Sequence, residues 1–411
     1  MLKHKRTLLY IVAAGLLAAC HPSVRKQVVT PAPQIRVLLS AVVAKDSVTF
    51  SGDYILKTAE AKFVFGKKNR KIFIVPFKKG YRVFNQNRYL TFSPEDVIYF
   101  EPRRPESTFR FQNRSYAGRL VLGLNNDASL LVINKLDVES YLRGVVPAEM
   151  PSEDKDNFEA VKAQAVCART YAVRRMNLRK NQPFDVYSDT RDQVYAGQQA
   201  ARPLADQAIE QTRGSVLMFG DSLAHVYYHS TCGGVTEAGN EVFADRPVPY
   251  LPSSEDQVGN AFACRISPKF RWLRRFTLPR IDSLFQQNKN YSLLNRPVTD
   301  TTEIRFNVQV LERSVSHRAK KLRVDYGDSS LVLTGYRIRD FFRDETNRAL
   351  PSTLFYVKTL GDSVLYFRGG GYGHGVGLCQ WGAIGLARKG VKFYDILIHR
   401  YFPGTYLKRM Y

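Results

Sequence analysis

"SLLVINKLDVESYLRGVVPAEMP", residues 129–151, changes its hydrophobic period partway along. Up to Leu136 it reads as a strand; from Asp137, a fitting N-cap, "VESYLRGVV" reads as a helix that stops at Pro147. Residues 34–135 alternate apolar and polar positions between turn signals, as in "KIFIVPF" and "RLVLGL", and predict a β-rich portion. A longer helix is expected from about Lys155 to Arg179, with Phe158, Val161, Ala165, Ala168 and Ala172 forming one apolar stripe and Arg169 beside it. The expected class is therefore α+β: a β-rich N-terminal portion, 34–135, and a mixed domain with a few helices, 136–411.

Between the two helices lies "PAEMP", where Glu149 is held on a stiff link between Pro147 and Pro151 among apolar neighbours. Desolvation there would raise the carboxyl pKa, the state a general acid needs near neutral pH. Further on, "GSVLMFGDSLAHVYYHSTCGGVTE" predicts a hairpin turning at Gly220 and Asp221. His225, His229 and Cys232 follow, at spacings that fit no standard zinc pattern. "GGGYGHGVGLCQWGA", residues 369–383, surrounds His374 with Gly371, Gly373, Gly375 and Gly377. Strand, glycine loop and helix would suit a phosphate, but no register gives G-x-G-x-x-G and no Walker lysine follows. Approachable backbone beside His374, Gln380 and Trp381 suits a sugar polymer better.

The formal net charge of +24, from 61 Lys and Arg against 37 Asp and Glu spread along the chain, predicts a polyanionic partner. No nucleic-acid-binding signature stands out, so anionic wall polymer or anionic lipid is expected rather than nucleic acid. Residues 1–19 read as a signal peptide, with a basic head and the short apolar run Leu8 to Leu17. "LAAC" ending at Cys20 resembles a lipobox, so Cys20 is the expected lipidation site, followed by a polar stalk over 20–33. The expected location is exported and membrane-anchored, periplasmic or at the cell surface. Cys167 is expected to be a buried thiol, and Cys232 with Cys264 is the favoured disulfide in an oxidising compartment, although the sequence leaves connectivity open.

"SYLRGVVPAEMP", "EAVKAQAVCARTYAV", "YHSTCGGVTE" and the 369–383 segment, in this order, resemble the stage II sporulation protein D family, the SpoIID/LytB domain, from about residue 35 to the C-terminus. That resemblance implies a lytic transglycosylase cutting peptidoglycan glycan strands, preferably denuded of stem peptides. It implies Glu149 as catalytic acid and base, and Arg169, Tyr372, His374 and Gln380 as substrate-binding residues. Relatives that modify a cell-wall amidase imply the alternative, a non-catalytic glycan-binding partner of such an enzyme. No cofactor or metal is expected, with zinc at His225, His229 and Cys232 left open by a requirement in some family members.

Overall fold

The computed structural model describes residues 30–57, 62–65, 70–85, 88–243, 246–287, 306–326, 329–360 and 364–411. The expected signal peptide, Cys20 and the stalk up to residue 29 lie outside the described residues. The class is α+β, as expected.

The N-terminal portion holds two large sheets. One runs Val186–Tyr187, Gln34–Val42, Leu130–Asp137, Arg119–Leu124, Ile98–Pro102, Tyr54–Lys57 and Lys62–Phe65 in spatial order; the other runs Arg114–Ala117, Thr108–Phe111, Asp46–Ser51, Lys71–Phe77, Gly80–Phe84 and Tyr89–Phe92. The alternation read from the sequence is the alternation of burial: Ile72 and Ile74 are buried while Lys71 is exposed. Buried rings join the two sheets, with Phe50 lying 4.8 Å from Tyr54 and 5.4 Å from Phe100 between ring centroids.

Helix α1 spans Val138–Glu149, and the Asp137 side chain caps it by accepting from the Ser140 N–H at 3.0 Å. The expected stop at Pro147 is corrected to Glu149. A proline in the last turn gives up only one helical amide bond, and the Met150 N–H still closes onto the Val146 carbonyl. Glu149 is therefore the last helical residue rather than part of a free link. Helix α2, Phe158–Leu178, is buried on nearly every side, from Ala160 through Arg169. Its alanines let α1 and α3, Pro203–Gln211, approach closely, so the single stripe expected for it is a central helix instead.

A second apolar core lies between the hairpin and the glycine loop, built around Trp272, Phe276, Phe342, Phe355 and Phe367. It joins the sheet Arg271–Thr277, Val364–Gly370 and Phe355–Leu360 to the sheet Phe306–Arg313, Ala319–Tyr326 and Ser329–Thr334, with α4 (Leu278–Gln287) and α5 (Tyr336–Phe341) packed alongside. After it the chain returns to the main core through α6, Gln380–Ala387. Among the described residues no helix is long and apolar enough to cross a membrane.

Candidate active site

Glu149 opens into a cavity of about 300 Å³ lined also by Tyr171, Asp192, Tyr227, Tyr228 and His374. Its Oε1 accepts from the Val194 N–H at 2.9 Å. Burial raises the carboxyl above its ordinary pKa, and that effect outweighs the hydrogen-bonding pull of Val194, Gln380 and Tyr228. Although the Gln380 amide faces the carboxyl, its Nε2 forms no hydrogen bond of good geometry.

Two short strands bring these groups together. Tyr228–His229 pairs in parallel with Leu378–Cys379, setting Tyr228 opposite Leu378, two residues before Gln380. Cys379 then caps α6, its sulfur accepting from the Gly382 N–H at 3.3 Å. The Tyr228 hydroxyl accepts from Gln193 Nε2 at 3.0 Å, and burial, reinforced by the Glu149 charge, keeps the phenol neutral.

Asp192, the other carboxylate in the cavity, is occupied. Its oxygens hold Arg175 at 2.9 Å and Arg179 at 3.1 Å, and accept from the Tyr171 hydroxyl at 2.6 Å and the Tyr187 N–H at 2.8 Å. Glu149 is the one cavity carboxylate without a cationic partner among the described residues. Tyr171, Asp192, Gln193, Tyr228 and Phe243 were not singled out in the sequence. "RDQVY" and the tyrosine just before "HSTCGG" were the signals on offer.

The structure revises most of the other expected binding residues. Arg169 is fully buried, bidentate to Glu139 at 2.8 Å through Nε and Nη2, with its remaining donors on Thr212 and on the carbonyls of Ser215 and Ile209. It is a structural cation outside the cavity. His374 does line the cavity, but the Val376 N–H donates to its Nδ1 at 3.0 Å and its Nε2 meets the Tyr228 carbonyl at 3.0 Å. Burial lowers its pKa to about 4, so a neutral ring with both nitrogens occupied offers a packing face rather than donors. That face meets Phe243 at 4.9 Å, and Phe243 in turn stacks on Tyr227 at 4.2 Å. Tyr372 is 45% exposed, under the Lys269 ammonium, and does not line the cavity.

The glycines of the loop serve the fold. Gly375 (φ +89°) passes within 2.8 Å of the Arg318 guanidinium as judged by where a Cβ would sit, and Gly377 (φ +71°) lies against the Tyr227 carbonyl. The amides of residues 370–373, 376 and 378 all donate within the protein, so they do not form the exposed cradle expected for a sugar chain.

The expected Cys232–Cys264 disulfide is absent. The two sulfurs lie 3.4 Å apart as free thiols, with Cys379 and Asp256 completing a buried group. Nor do His225, His229 and Cys232 converge: His225 meets Arg174, and His229 turns Nδ1 to the Val376 carbonyl at 3.1 Å. Burial drives the Cys232 and Cys379 thiols up and Asp256 to about 8, while hydrogen bonds from its neighbours hold Cys264 down.

Residues 126–219 match the family model described as stage II sporulation protein, and residues 256–377, which include most of the second core, match a domain of unknown function, DUF8618. An uncharacterized protein of Brachyspira hyodysenteriae is 30% identical over 374 residues, covering 90% of this chain and 92% of that one. The amidase enhancer of Bacillus subtilis is 30% identical over 292 residues, 65% of this chain but 40% of its own length. Stage II sporulation protein D of Bacillus amyloliquefaciens is 30% identical over 289 residues, 66% of this chain and 74% of that protein. The arrangement around Glu149 thus sits in a chain that belongs to the stage II sporulation protein D family, a cell-wall-related family.

Proposed function

We propose that the protein is a lytic transglycosylase acting on peptidoglycan glycan strands, preferably strands stripped of stem peptides, with Glu149 as both acid and base. The carrying observation is that the cavity holds one unpaired carboxyl of raised pKa, while Asp192 is neutralised by Arg175 and Arg179. Hydrolysis of a glycosidic bond generally uses two working carboxyl groups. One suffices when the nucleophile is the sugar's own C6 hydroxyl. Protonated Glu149 gives its proton to the glycosidic oxygen as the C1–O bond breaks. The resulting carboxylate then takes the C6 hydroxyl proton as that oxygen bonds C1, closing a 1,6-anhydro ring and restoring the acid.

Arg191 lines the cavity with its guanidinium held by Asp189 at 2.6 Å, and the stacked Tyr227 and Phe243 supply an apolar wall for a sugar face. Gln380, beside the carboxyl, acts on Glu149 rather than on the sugar. The test is mass spectrometry of products from denuded glycan: wild type is expected to yield 1,6-anhydro ends and Glu149→Gln to yield none. Anhydro ends at wild-type level from Glu149→Gln would reject the mechanism.

Similarity to the amidase enhancer supports a second reading, a glycan-binding modifier of a cell-wall amidase. Under it, neither protein would form anhydro ends, and Glu149→Gln would stimulate a purified wall amidase as well as wild type does. The same proposal places the protein outside the cytoplasm, tethered through Cys20. Cys20→Ser is expected to move it from the membrane to the soluble fraction, and retention at the membrane would remove the lipid anchor from the reading.

A further inference from the structure

We infer that a second cavity, beside the one at Glu149, binds the free carboxylate of a neighbouring muramic acid through Arg339; this rests on the glycan-strand substrate proposed above. The cavity has a volume of about 370 Å³, and its walls include Val242, Arg318, Tyr336, Arg339 and His374. His374 also lines the Glu149 cavity, where Phe243, next to Val242 in the chain, meets its ring at 4.9 Å. The imidazole and the Val242–Phe243 segment are therefore a wall common to both cavities. A strand with one sugar at Glu149 passes that wall and sets a further sugar in the second cavity.

Arg339 sits in the last turn of α5, between the buried Ile338 and Phe341. Its carbonyl accepts from the Leu350 N–H at 3.2 Å, and its Nε donates to the Leu350 carbonyl at 2.8 Å, so two bonds to one residue fix the guanidinium. Among the described residues Nη1 and Nη2 have no hydrogen-bond partner, and the adjacent Asp340 pairs with Arg343 instead. The other charged groups of the cavity are engaged. Glu237 accepts from the Ser314 and Ser316 hydroxyls at 2.6 and 2.9 Å, and Glu241 holds Lys320 at 2.9 Å. Lys321 holds Glu312 at 2.7 Å, while Arg318 gives its Nη groups to the Val235 and Cys232 carbonyls at 3.0 and 2.6 Å. A half-buried guanidinium with unspent donors calls for an anion, and none of these groups supplies it.

The chemistry of the strand supplies one. Muramic acid carries a lactyl ether whose carboxyl is free on a bare strand and becomes an amide once a stem peptide is attached. The planar Nη1–Nη2 fork matches a carboxylate, and an amide offers it neither the charge nor the second acceptor. Tyr336 is 64% exposed, with its ring centroid 5.5 Å from the guanidinium, and presents a face to the sugar that bears the carboxylate. Arg339 is thus a specificity residue away from the bond that breaks, and a stem peptide abolishes the charge it reads.

The experiment compares two soluble muramic acid-containing oligosaccharides, identical except that the lactyl carboxyls are free in one and amidated in the other. Binding is measured by calorimetry to the full chain carrying Glu149→Gln, so that no cleavage intrudes. The free form is expected to bind about 10–100-fold more tightly, the worth of a charge-assisted hydrogen-bonded pair. Adding Arg339→Gln should remove that preference by weakening the free form alone, Arg339→Lys should keep part of it, and Lys79→Gln, an exposed cation on the N-terminal portion, should leave it intact. Should Arg339→Gln fail to fold, the comparison of the two oligosaccharides with Arg339 in place still decides. Equal binding of both forms, binding of neither, or a preference that survives Arg339→Gln overturns the inference. Because cleavage is not measured, a wild type that yields no anhydro ends rejects the reaction proposed for Glu149 and leaves this result standing, whereas cleavage without carboxylate preference rejects only the second cavity.

Discussion

The two ends of α1 carry glutamates ten residues apart, Glu139 and Glu149, in opposite surroundings. Glu139 is buried against Arg169, and its oxygens also accept from the Tyr411 hydroxyl at 2.6 Å and the Gly214 N–H at 3.2 Å. Burial would raise its pKa, but Arg169 and the hydrogen bonds prevail and the carboxyl sits below its ordinary value. Glu149 is also largely buried, but the groups pulling its pKa down are only the Val194 N–H and the neutral side chains of Gln380 and Tyr228, so burial prevails and its pKa goes up. One residue type on one helix becomes a structural anion at one end and a carboxyl of raised pKa at the other, and the presence of a guanidinium decides which.

The largest effect that would break this contrast is at Glu149. Glu149→Gln keeps an acceptor for the Val194 N–H but cannot transfer a proton. Glycan cleavage is expected to fall by about 10²–10⁴-fold, the usual worth of a general acid and base, with unfolding in urea unchanged. A parallel loss of stability would mean that Glu149 belongs with Glu139 as a fold element.

Arg169 tests the other end. Arg169→Met leaves Glu139 buried without a cation and is expected to cost about 3–5 kcal/mol in chemical denaturation. Adding Glu139→Leu should restore most of that loss, because the buried charge goes too. A cost near zero for Arg169→Met would show that Arg169 is not the structural cation its hydrogen bonds describe.

Acidity separates the two ends by sign. Glu139 has a lowered folded pKa, so its stabilising contribution is present above the ordinary carboxylate pKa of about 4.3 and is lost as pH falls through the folded value. Glu149 has a raised folded pKa, so its contribution is present below the unfolded value and is lost as pH rises through the folded one. Relative to its Gln variant at each position, wild type should therefore gain stability with rising pH at 139 and lose it at 149. Thermal melts across mildly acidic pH measure both, and slopes of equal sign would erase the distinction.

Much of this frame was legible in local pattern. The change of period at Asp137, its capping role, the β-rich run before it and the exposure of Glu149 to an apolar site all follow from residues adjacent in sequence. What escaped depends on distant partners. Arg169 looked like a free cation beside an apolar stripe because Glu139 lies 30 residues away and Tyr411, also on that carboxylate, 272 residues from it. The glycine loop read as a ligand cradle because its hydrogen-bond partners, Thr231, Tyr227 and Pro351, come from other segments. The second core was visible only as further strands, since which of its rings close on one another, such as Phe276 with Phe342 and Phe367, depends on partners far apart in sequence. Cys232 and Cys264 were rightly drawn together, but Asp256 and Cys379 reach them only in three dimensions.

The smallest expected effect is at Gln380, and it refines the Glu149 end. The Gln380 amide pulls the Glu149 pKa down against burial, so Gln380→Ala should let it rise further and move the alkaline limb of the activity profile upward. Because the amide faces the carboxyl without a well-formed hydrogen bond, its removal should cost less than such a bond is worth, about 0.5–1.5 kcal/mol, and the rate at the optimum should fall by no more than roughly tenfold. If Gln380 only packed α6 against the core, stability would drop and the limb would stay in place. Movement of the limb at constant stability separates an amide that tunes the acid from one that merely fills space beside it.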